Sequence, residues 1–181
     1  MRWTALLSVL SLAGPAFGCL VFCISDGKHV LAGNNEDYID PDTRMWFVPG
    51  ELGKHGRVYF GFANGFPQGG LNDAGLFFDG LALDSQTVVP SPEEPVHPGN
   101  LADLAMAECT RVEEVIALFE GHDRTSLTRA QLIFGDRSGD GAIIEGNAVI
   151  RKEGAYLLAT NFRQSSTPPR PSPARSLRRM G

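Results

Sequence analysis

The sequence has few cysteines and lacks the usual spacing of metal ligands. Its three cysteines are Cys19, Cys23 and Cys109, and an odd number leaves at least one thiol unpaired even in an oxidising compartment. A Cys23–Cys109 disulfide stays open as an alternative, because sequence alone does not show that two residues are close in space. The chain contains no CxxC pair and no two histidines at zinc-ligand spacing, so we predict no metal site.

Basic residues are outnumbered by acidic ones in most of the chain. The formal net charge of the 181 residues is −5, although five arginines and no acidic residue follow Phe162. Subtracting those five positive charges from −5 leaves −10 on residues 1–162. An acidic body argues against nucleic acid as a partner. The G-x-S-x-G, Walker A and HExxH motifs are also absent, so the sites that they mark are not predicted.

The apolar run at the N-terminus is too short to span a bilayer. Trp3–Ala13 is almost wholly apolar and follows the positively charged start Met1-Arg2, as in a signal peptide. Ala16 and Gly18 supply small residues at positions −3 and −1 for cleavage before Cys19. We therefore predict a signal peptide over residues 1–18 and a secreted or periplasmic mature protein without a stable membrane anchor.

A cysteine directly after the cleavage site also allows a second interpretation. In bacterial lipoproteins this cysteine carries lipid and its amine is acylated. Ala16 and Phe17 fit that signal poorly, because a leucine is usual at −3 and a small residue at −2. The lipoprotein stays as an alternative, and acylation of the amine would exclude its use as a base.

Strand and helix patterns follow one another in blocks after the leader. Asp26-Gly27 between two apolar runs predicts a hairpin. The proline-rich loop Thr87–Gly99 precedes two short helices, the first capped by Asn100 and the second opened by a Thr110-x-x-Glu113 capping box. The order of strands, helices and strands predicts an α+β layered domain. The predicted strands are Leu20–Ser25, His29–Gly33, Met45–Val48, Val58–Phe62, Gly75–Leu83, Gln131–Phe134, Ala142–Glu145, Val149–Arg151 and Ala155–Ala159.

Two further segments carry recognisable patterns. Asp136-x-Ser138-x-Asp140-Gly141 looks like a calcium loop, but its twelfth position is Asn147 and no helices flank it, so we predict a hairpin turn. From Ser165 onward the chain has four prolines and four arginines and almost nothing apolar. We therefore predict a folded domain over residues 19–162 and a Pro/Arg-rich disordered tail over residues 163–181.

The new N-terminus offers a nucleophile together with its own base. None of the four histidines lies in a recognisable cysteine-protease signature. Cleavage before Cys19 would instead place a thiol and a free α-amine on one residue. An α-amine titrates at about 7.7–8.0 in model peptides. It can therefore accept the thiol proton near neutral pH and later return it to a leaving amine.

Several short motifs carry a family resemblance, from Cys19 to about Phe162. The motifs are Cys19-Leu-Val-Phe22, Gly33-Asn-Asn35-Glu-Asp37-Tyr38, Gly70-Leu-Asn72-Asp-Ala-Gly75-Leu76, Gly135-Asp136 with Ile143-Ile-Glu145, and Thr160-Asn161-Phe162. Together they resemble the N-terminal nucleophile (Ntn) amidases, and in particular the choloylglycine hydrolase, penicillin V acylase and acyltransferase-like group. The resemblance implies an αββα layered sandwich. It also implies hydrolysis of linear amide bonds in a small N-acyl substrate without metal or organic cofactor.

The resemblance also implies roles for single residues. Cys19 would be the nucleophile, Asp37 the acid that holds its amine, and Asn161 a contributor to the oxyanion site. Asn35 and Asn72 match motif positions, which we assign to the substrate site or to the geometry of its loops. Five phenylalanines either line an apolar acyl pocket or belong to the core, and we assign Phe62 to substrate binding. They are Phe60, Phe62, Phe66, Phe77 and Phe78.

Three departures from the family pattern bear on activity. Asn34 stands where the motif has an arginine beside the nucleophile, and Ala82 stands where bile-salt hydrolases have a second oxyanion asparagine. Family members continue well beyond the Thr-Asn-Phe block. We therefore expect a sandwich that is incomplete at the C-terminus and exposes apolar surface. A catalytically inactive fragment is the alternative to an enzyme, and the oligomeric state and the choice between hydrolase and acyltransferase stay open.

Overall fold

The computed structural model describes residues 18–166. Residues 1–17 of the predicted signal peptide and residues 167–181 of the predicted tail lie outside the described residues. Within 18–166 the elements follow the predicted order of strands, helices and strands. The strands are β1 (Leu20–Ser25), β2 (Val30–Asn35), β3 (Arg44–Val48), β4 (Arg57–Gly61), β5 (Pro67–Asn72), β6 (Phe77–Ala82), β7 (Ala130–Gly135), β8 (Gly141–Ile144), β9 (Val149–Arg151) and β10 (Tyr156–Thr160). The helices are α1 (Leu101–Glu108), α2 (Val112–Glu120) and a 3-10 helix (Thr125–Arg129).

The strands form two antiparallel sheets. The small sheet has three strands in the order β10-β1-β2. The large sheet has seven strands that follow one another from β3 to β9. Because β10 pairs with β1, the first and last described strands of the domain are neighbours in the small sheet.

The hairpin predicted at Asp26-Gly27 is confirmed. β1 pairs with β2 along its whole length. Gly27 has a φ of 87°, which a residue without a Cβ adopts readily. The Asp26 carboxylate accepts hydrogen bonds from the backbone N–H groups of Lys28 and His29 at 2.8 and 2.7 Å. Asp26 therefore closes the turn with its side chain as well as its backbone.

Strand β5 is absent from the sequence prediction. Gly69 and Gly70 lower the strand propensity of this stretch. The structure requires both glycines, because a Cβ on Gly69 would lie 2.6 Å from Asp79 Oδ2 and a Cβ on Gly70 would lie 2.6 Å from Tyr59 Cδ1. The strand forms because β4 and β6 pair with its two edges, and propensity contains no information about those partners.

Helices α1 and α2 pack on one face of the large sheet. The apolar stripe of α2, formed by Val112, Val115, Ile116 and Phe119, is buried in full. Phe119 contacts Phe134 of β7 with ring centroids 5.8 Å apart. Met106 of α1 lies in the same core. Neither helix, nor any other within residues 18–166, is long and apolar enough to cross a membrane.

The other face of the large sheet packs against the small sheet. Val21 and Cys23 of β1 face Ile133 and Ile143 in this second core. The opposite face of the small sheet is exposed and apolar, with Leu20, Ile24, Leu31, Tyr156 and Leu158 at its surface. Residues 18–166 thus form three layers, and the fourth layer of the predicted αββα sandwich has no counterpart among them. The apolar exposure expected of an incomplete sandwich is confirmed.

The start of α2 corrects the predicted capping box. Glu114, and not Glu113, accepts hydrogen bonds from the Thr110 and Arg111 N–H groups at 2.6 and 3.2 Å. Glu113 forms an exposed ion pair with Arg151 at 2.6 Å. The helix begins at Val112, so its third residue is Glu114, one position later than the motif indicates.

The disulfide left open by the sequence does not form. All three cysteines of the chain are free. Cys23 is part of the core between the two sheets, whereas Cys109 lies in the core beneath the helices. The large sheet therefore stands between the two thiols.

The turn predicted at Asp136–Gly141 is a hairpin, as expected. It joins β7 to β8, and Gly139 adopts a φ of 88°. The Asp136 carboxylate accepts hydrogen bonds from the Ser138 N–H at 2.8 Å and the Val112 N–H at 2.9 Å. The carboxylate that suggested a calcium ligand therefore binds backbone at the turn and at the start of α2.

The first residues of the predicted tail are part of the fold. The Gln164 N–H donates to the buried Glu145 carboxylate at 2.7 Å, and Ser165 contacts the same group through its N–H and hydroxyl. Arg163 donates to the backbone carbonyls of Asp84 and Thr128. The chain is thus docked through Ser165, and residues 167–181 of the predicted tail lie outside the described residues.

Candidate active site

Antiparallel pairing brings three strand ends together at one edge of the small sheet. β1 is the central strand, and Leu20 at its start lies opposite Asn35 on β2 and opposite Thr160 on β10. Residues just before β1, just after β2 and just after β10 must therefore be neighbours. These residues are Cys19, Asp37 and Asn161, the three to which the sequence resemblance gives catalytic roles.

The thiol of Cys19 lies among polar groups that follow β2. The Asp37 N–H donates to Sγ at 3.5 Å, and the thiol donates to Glu36 Oε2 at 3.5 Å. Burial raises the pKa of the Cys19 thiol above its ordinary value, and the negative charge of Glu36 acts in the same direction. The hydrogen bonds from Asp37 and Asn161 lower this pKa but do not reverse the shift. The thiol is therefore protonated at neutral pH and needs a base before it can attack.

The backbone nitrogen of Cys19 has a side-chain acceptor of its own. Its N–H donates to Asn161 Oδ1 at 2.5 Å, while Asn161 Nδ2 donates to the Ala82 carbonyl at 2.9 Å. The Gly18 N–H donates to Asp37 Oδ2 at 2.8 Å. With Gly18 still attached, Asn161 thus holds the nitrogen of Cys19 and Asp37 holds the nitrogen of the residue before it. Asn161 therefore accepts from the nitrogen that a cut before Cys19 would free, whereas Asp37 accepts from the residue that the cut would remove.

The other predicted substrate residues are placed differently from one another. Phe62 lies beside the site and packs against Tyr38 with ring centroids 4.7 Å apart. Asn35 is exposed and does not line the site, because Asn34 occupies the alternate strand position that does. Asn72 is buried below the end of α1, where Nδ2 donates to the carbonyls of Met106 and Cys109.

The hydrogen bonds of Asn72 leave none of its capacity for a substrate. Its Oδ1 accepts from the N–H groups of Ala74 and Leu76 at 3.1 and 2.9 Å, in addition to the two bonds that Nδ2 donates. A side-chain amide has two donors and two acceptor positions, and all four are used here. Asn72 therefore joins β5 to the end of α1 and shapes the loop that precedes β6.

Two cavities meet beside Cys19. We call the first the Cys19 cavity; it has a volume of about 450 Å³ and includes Asp37, Tyr38 and Asn161 in its lining. The second, the phenylalanine cavity, has a volume of about 480 Å³ and lies between the two sheets. Glu36, Phe62 and Gln68 line both. The phenylalanine cavity is lined by Phe60, Phe62, Phe77 and Phe78, four of the five phenylalanines predicted for an acyl pocket. The fifth, Phe66, lines a different cavity.

Two acidic residues at the junction were not identified from the sequence. Asp79 projects from β6 into the phenylalanine cavity beside Glu36, and only 5% of its surface is exposed. Burial, together with Glu36, raises the pKa of Asp79 from 3.8 to about 8. Asn34, at the position of the family arginine, donates to Glu36 Oε1 at 3.1 Å. An amide and two carboxyl groups therefore occupy the place where the family motif has an arginine. The sequence does contain a signal for Asp79, because an aspartate stands at the centre of the apolar strand Phe77-Phe78-Asp79-Gly80-Leu81.

Comparison with known proteins identifies the fold. No family model matches the sequence, and no curated protein matches it. Two variants of a conjugated bile acid hydrolase from Clostridium perfringens match with TM-scores of 0.61 and 0.58 and identities of 16% and 18%, over 80% of this chain and 53% of that chain. A penicillin V acylase from Agrobacterium tumefaciens matches with a TM-score of 0.56 and 19% identity, over 79% of this chain and 49% of the acylase.

At these identities the likeness establishes the fold. It is the sheet-rich α+β fold of Ntn hydrolases, as the sequence motifs predicted. The chain spans about half the length of the structures that it matches.

Proposed function

We propose that the chain is an exported amidase in which Cys19, after cleavage of the leader, hydrolyses linear amide bonds of small N-acyl substrates. The observation that carries the proposal is the convergence of Cys19, Asp37 and Asn161 at one end of β1, beside two adjoining cavities. The fold supports amide hydrolysis, because the bile acid hydrolase and the penicillin V acylase share it.

The raised thiol pKa explains why the amine is needed. A thiolate would be rare at neutral pH beside the Glu36 carboxylate, so the proton must leave as Sγ attacks. A cleaved α-amine lies on the same residue and has a reference pKa of about 7.7–8.0. Asn161 Oδ1 already accepts from this nitrogen, and the Asp37 carboxylate lies one residue away. These two groups would orient the amine toward Sγ and stabilise its protonated form.

The reaction then takes two steps. In the first, Sγ bonds to the carbonyl carbon, the amine takes the thiol proton, and the C–N bond breaks as that proton passes to the leaving nitrogen. In the second, a water molecule gives its proton to the amine and attacks the thioester, which releases a carboxylic acid and restores the thiol. Because Ala82 stands where bile-salt hydrolases have an asparagine, the negative oxygen must be stabilised by other donors in the Cys19 cavity.

The mature N-terminus provides the decisive test. The full chain, with its leader, is expressed in an exporting host, and the mass of the exported product is measured. The proposal requires an unmodified N-terminal Cys19. A different N-terminus would remove the base, and a mass increased by a diacylglycerol group would establish the lipoprotein alternative.

An acyl-transfer probe tests the nucleophile on the same product. An activated N-acyl amide should release its amine and leave a transient thioester on Cys19, detectable by intact mass. Cys19→Ala should abolish both signals. Cys23→Ala is the matched control, because Cys23 is a buried core thiol and its loss should leave the reaction in place. A correctly cut, folded protein that shows neither signal with a range of acyl chains would favour the inactive alternative.

A further inference from the structure

The two cavities beside Cys19 contain negative charge but no cationic side chain. Glu36, Asp37 and Asp79 line them, and neither lining includes a lysine, an arginine or a histidine. A cleaved amine at Cys19 would compensate one of these charges, next to Asp37. The carboxyl groups of Glu36 and Asp79 would remain without a positive partner from the described chain.

Asp79 is held in the phenylalanine cavity by specific features of the sheet. Its Oδ2 lies above Gly69, where a Cβ would come within 2.6 Å, so the glycine makes room for the carboxyl group. Its Oδ1 is buried and accepts no hydrogen bond from any described residue. A buried polar atom without a partner is unfavourable by about 1–3 kcal/mol, so its presence needs a reason. Because Asp79 lines the phenylalanine cavity, a donor from outside the chain that enters this cavity would satisfy its carboxyl group.

Glu36 and Asp79 act as one unit. Both side chains line the phenylalanine cavity, and the charge of Glu36 acts together with burial to raise the pKa of Asp79. Two carboxylates in one poorly solvated cavity repel each other, and this repulsion favours the neutral form of Asp79. A positively charged donor entering the cavity would relieve this repulsion and pair with both groups.

We propose that the Glu36–Asp79 pair binds an ammonium group of the substrate, so that the proposed amidase acts on N-acyl amides with a positively charged substituent. The inference rests on the proposed function in so far as it calls the bound molecule a substrate. The ammonium site itself is defined by the cavity. An ammonium group offers three donors for the Asp79 carboxyl group and a Glu36 oxygen, which line the same cavity, and such charge-assisted hydrogen bonds are strong away from water. The phenylalanine walls would contact the apolar part of the same molecule. Anionic substrates are rejected by the same charge.

A metal ion is the main competing occupant. Within the part of the chain that the structure describes, no group of three or more histidine, cysteine, aspartate or glutamate side chains is placed to hold one. Two carboxyl groups in an apolar cavity suit a compact organic cation better than a calcium ion, which takes about six to eight oxygen ligands.

Ligand binding to the full, processed chain tests the site without relying on turnover. The ligands are hexylammonium, hexanol and hexanoate, which share an alkyl chain and differ in charge, with calcium chloride as a fourth arm. Isothermal titration at about neutral pH should show hexylammonium binding at least about tenfold more tightly than hexanol, and no binding of hexanoate. Equal binding of the three organic ligands, or binding of calcium in preference to hexylammonium, would overturn the proposal.

Variants connect the binding to the pair. Asp79→Asn keeps the shape and removes the charge, and should weaken hexylammonium binding by about tenfold or more while leaving hexanol binding unchanged. Glu36→Gln is a second variant with the same expected direction, in case Asp79→Asn does not fold. Asp42→Asn, an exposed acid outside both cavities, is the matched control and should bind as the unaltered chain does. Full hexylammonium affinity in a folded Asp79→Asn protein would place the cation elsewhere and reject the inference.

Turnover distinguishes this inference from the proposed function. The anilides of 6-aminohexanoic acid and heptanoic acid have similar length and differ in the terminal ammonium group, and a matched amide pair with the ammonium group on the amine side covers the other orientation. Preferential cleavage of a charged member, lost in Asp79→Asn, supports both ideas. Cleavage of neutral amides alone keeps the amidase and rejects the ammonium site. Hexylammonium binding without any cleavage keeps the ammonium site and rejects the amidase.

Discussion

The two faces of the large sheet each bury a polar side chain, and the two side chains differ in how many of their hydrogen bonds are formed within the chain. Asn72 faces the helices, is 3% exposed, and uses all its hydrogen-bonding capacity on backbone groups. Asp79 faces the small sheet, is 5% exposed, and leaves Oδ1 without a partner. Burial is nearly equal, so burial does not separate a structural residue from a candidate binding residue. Their hydrogen-bond partners distinguish the two residues, because a buried polar group with a structural role has its hydrogen bonds satisfied within the chain.

The substitution with the largest expected effect is Cys19→Ala, at the Cys19 cavity. Loss of the nucleophile should reduce amide hydrolysis by about 10³-fold or more, while the melting temperature changes little because Cys19 is only partly buried. Steady-state kinetics and thermal denaturation of the processed protein measure the two quantities. Residual hydrolysis near the original rate would remove Cys19 from the mechanism.

On the helix side, Asn72→Ala should act on stability instead of chemistry. It removes four hydrogen bonds and leaves the Met106 and Cys109 carbonyls unpaired in the core, so the free energy of unfolding should fall by about 3 kcal/mol. Denaturant unfolding measures this value. Hydrolysis per folded molecule should stay within about twofold, since the helix face does not line the Cys19 cavity. A large loss of rate in the folded fraction would break the contrast between the faces.

Asp79→Asn should change how stability depends on pH. The pKa of Asp79 is raised in the fold to about 8, so the unfolded chain loses this proton at lower pH than the folded chain does. Folding is therefore penalised progressively as pH rises from about 4 to about 8. The asparagine variant should escape this penalty and unfold at a higher temperature than the unaltered chain at about pH 9, with a smaller difference at about pH 5. Parallel melting curves across this range would show that Asp79 carries no such shift.

The smallest expected effect concerns the start of α2. Glu114→Ala removes the acceptor for Thr110 and Arg111 and should lower the free energy of unfolding by about 1 kcal/mol. Glu113→Ala is the matched control and should have no measurable effect, because its ion pair with Arg151 is exposed. Equal losses in the two variants would contradict the cap assignment. Denaturant midpoints of the two variants, measured side by side, decide the question.

The residues of the candidate site differ in how visible they are in the sequence. Cys19, Asp37 and Asn161 belong to short motifs at the ends of strands. The Asp26-Gly27 turn predicted the hairpin of β1 and β2, which brings the motif of Asp37 back towards Cys19. Glu36 lies inside one motif but has no role in it, and Asp79 lies in none. Their significance arises only when β2 and β6 come from different sheets to face the same cavity. No local pattern contains that juxtaposition.

The sequence by itself determined the start of the domain: a strand, an Asp-Gly turn and a second strand that leads into Glu36-Asp37. These features depend on neighbouring residues, whose preferences are local and can be read from periodicity and turn chemistry. Tertiary structure alone decided that β5 exists despite its glycines, that Asn72 is structural, and that Asp79 is buried beside Glu36. Each of these depends on a partner distant in the chain, and the free energy of such contacts is set by packing and desolvation.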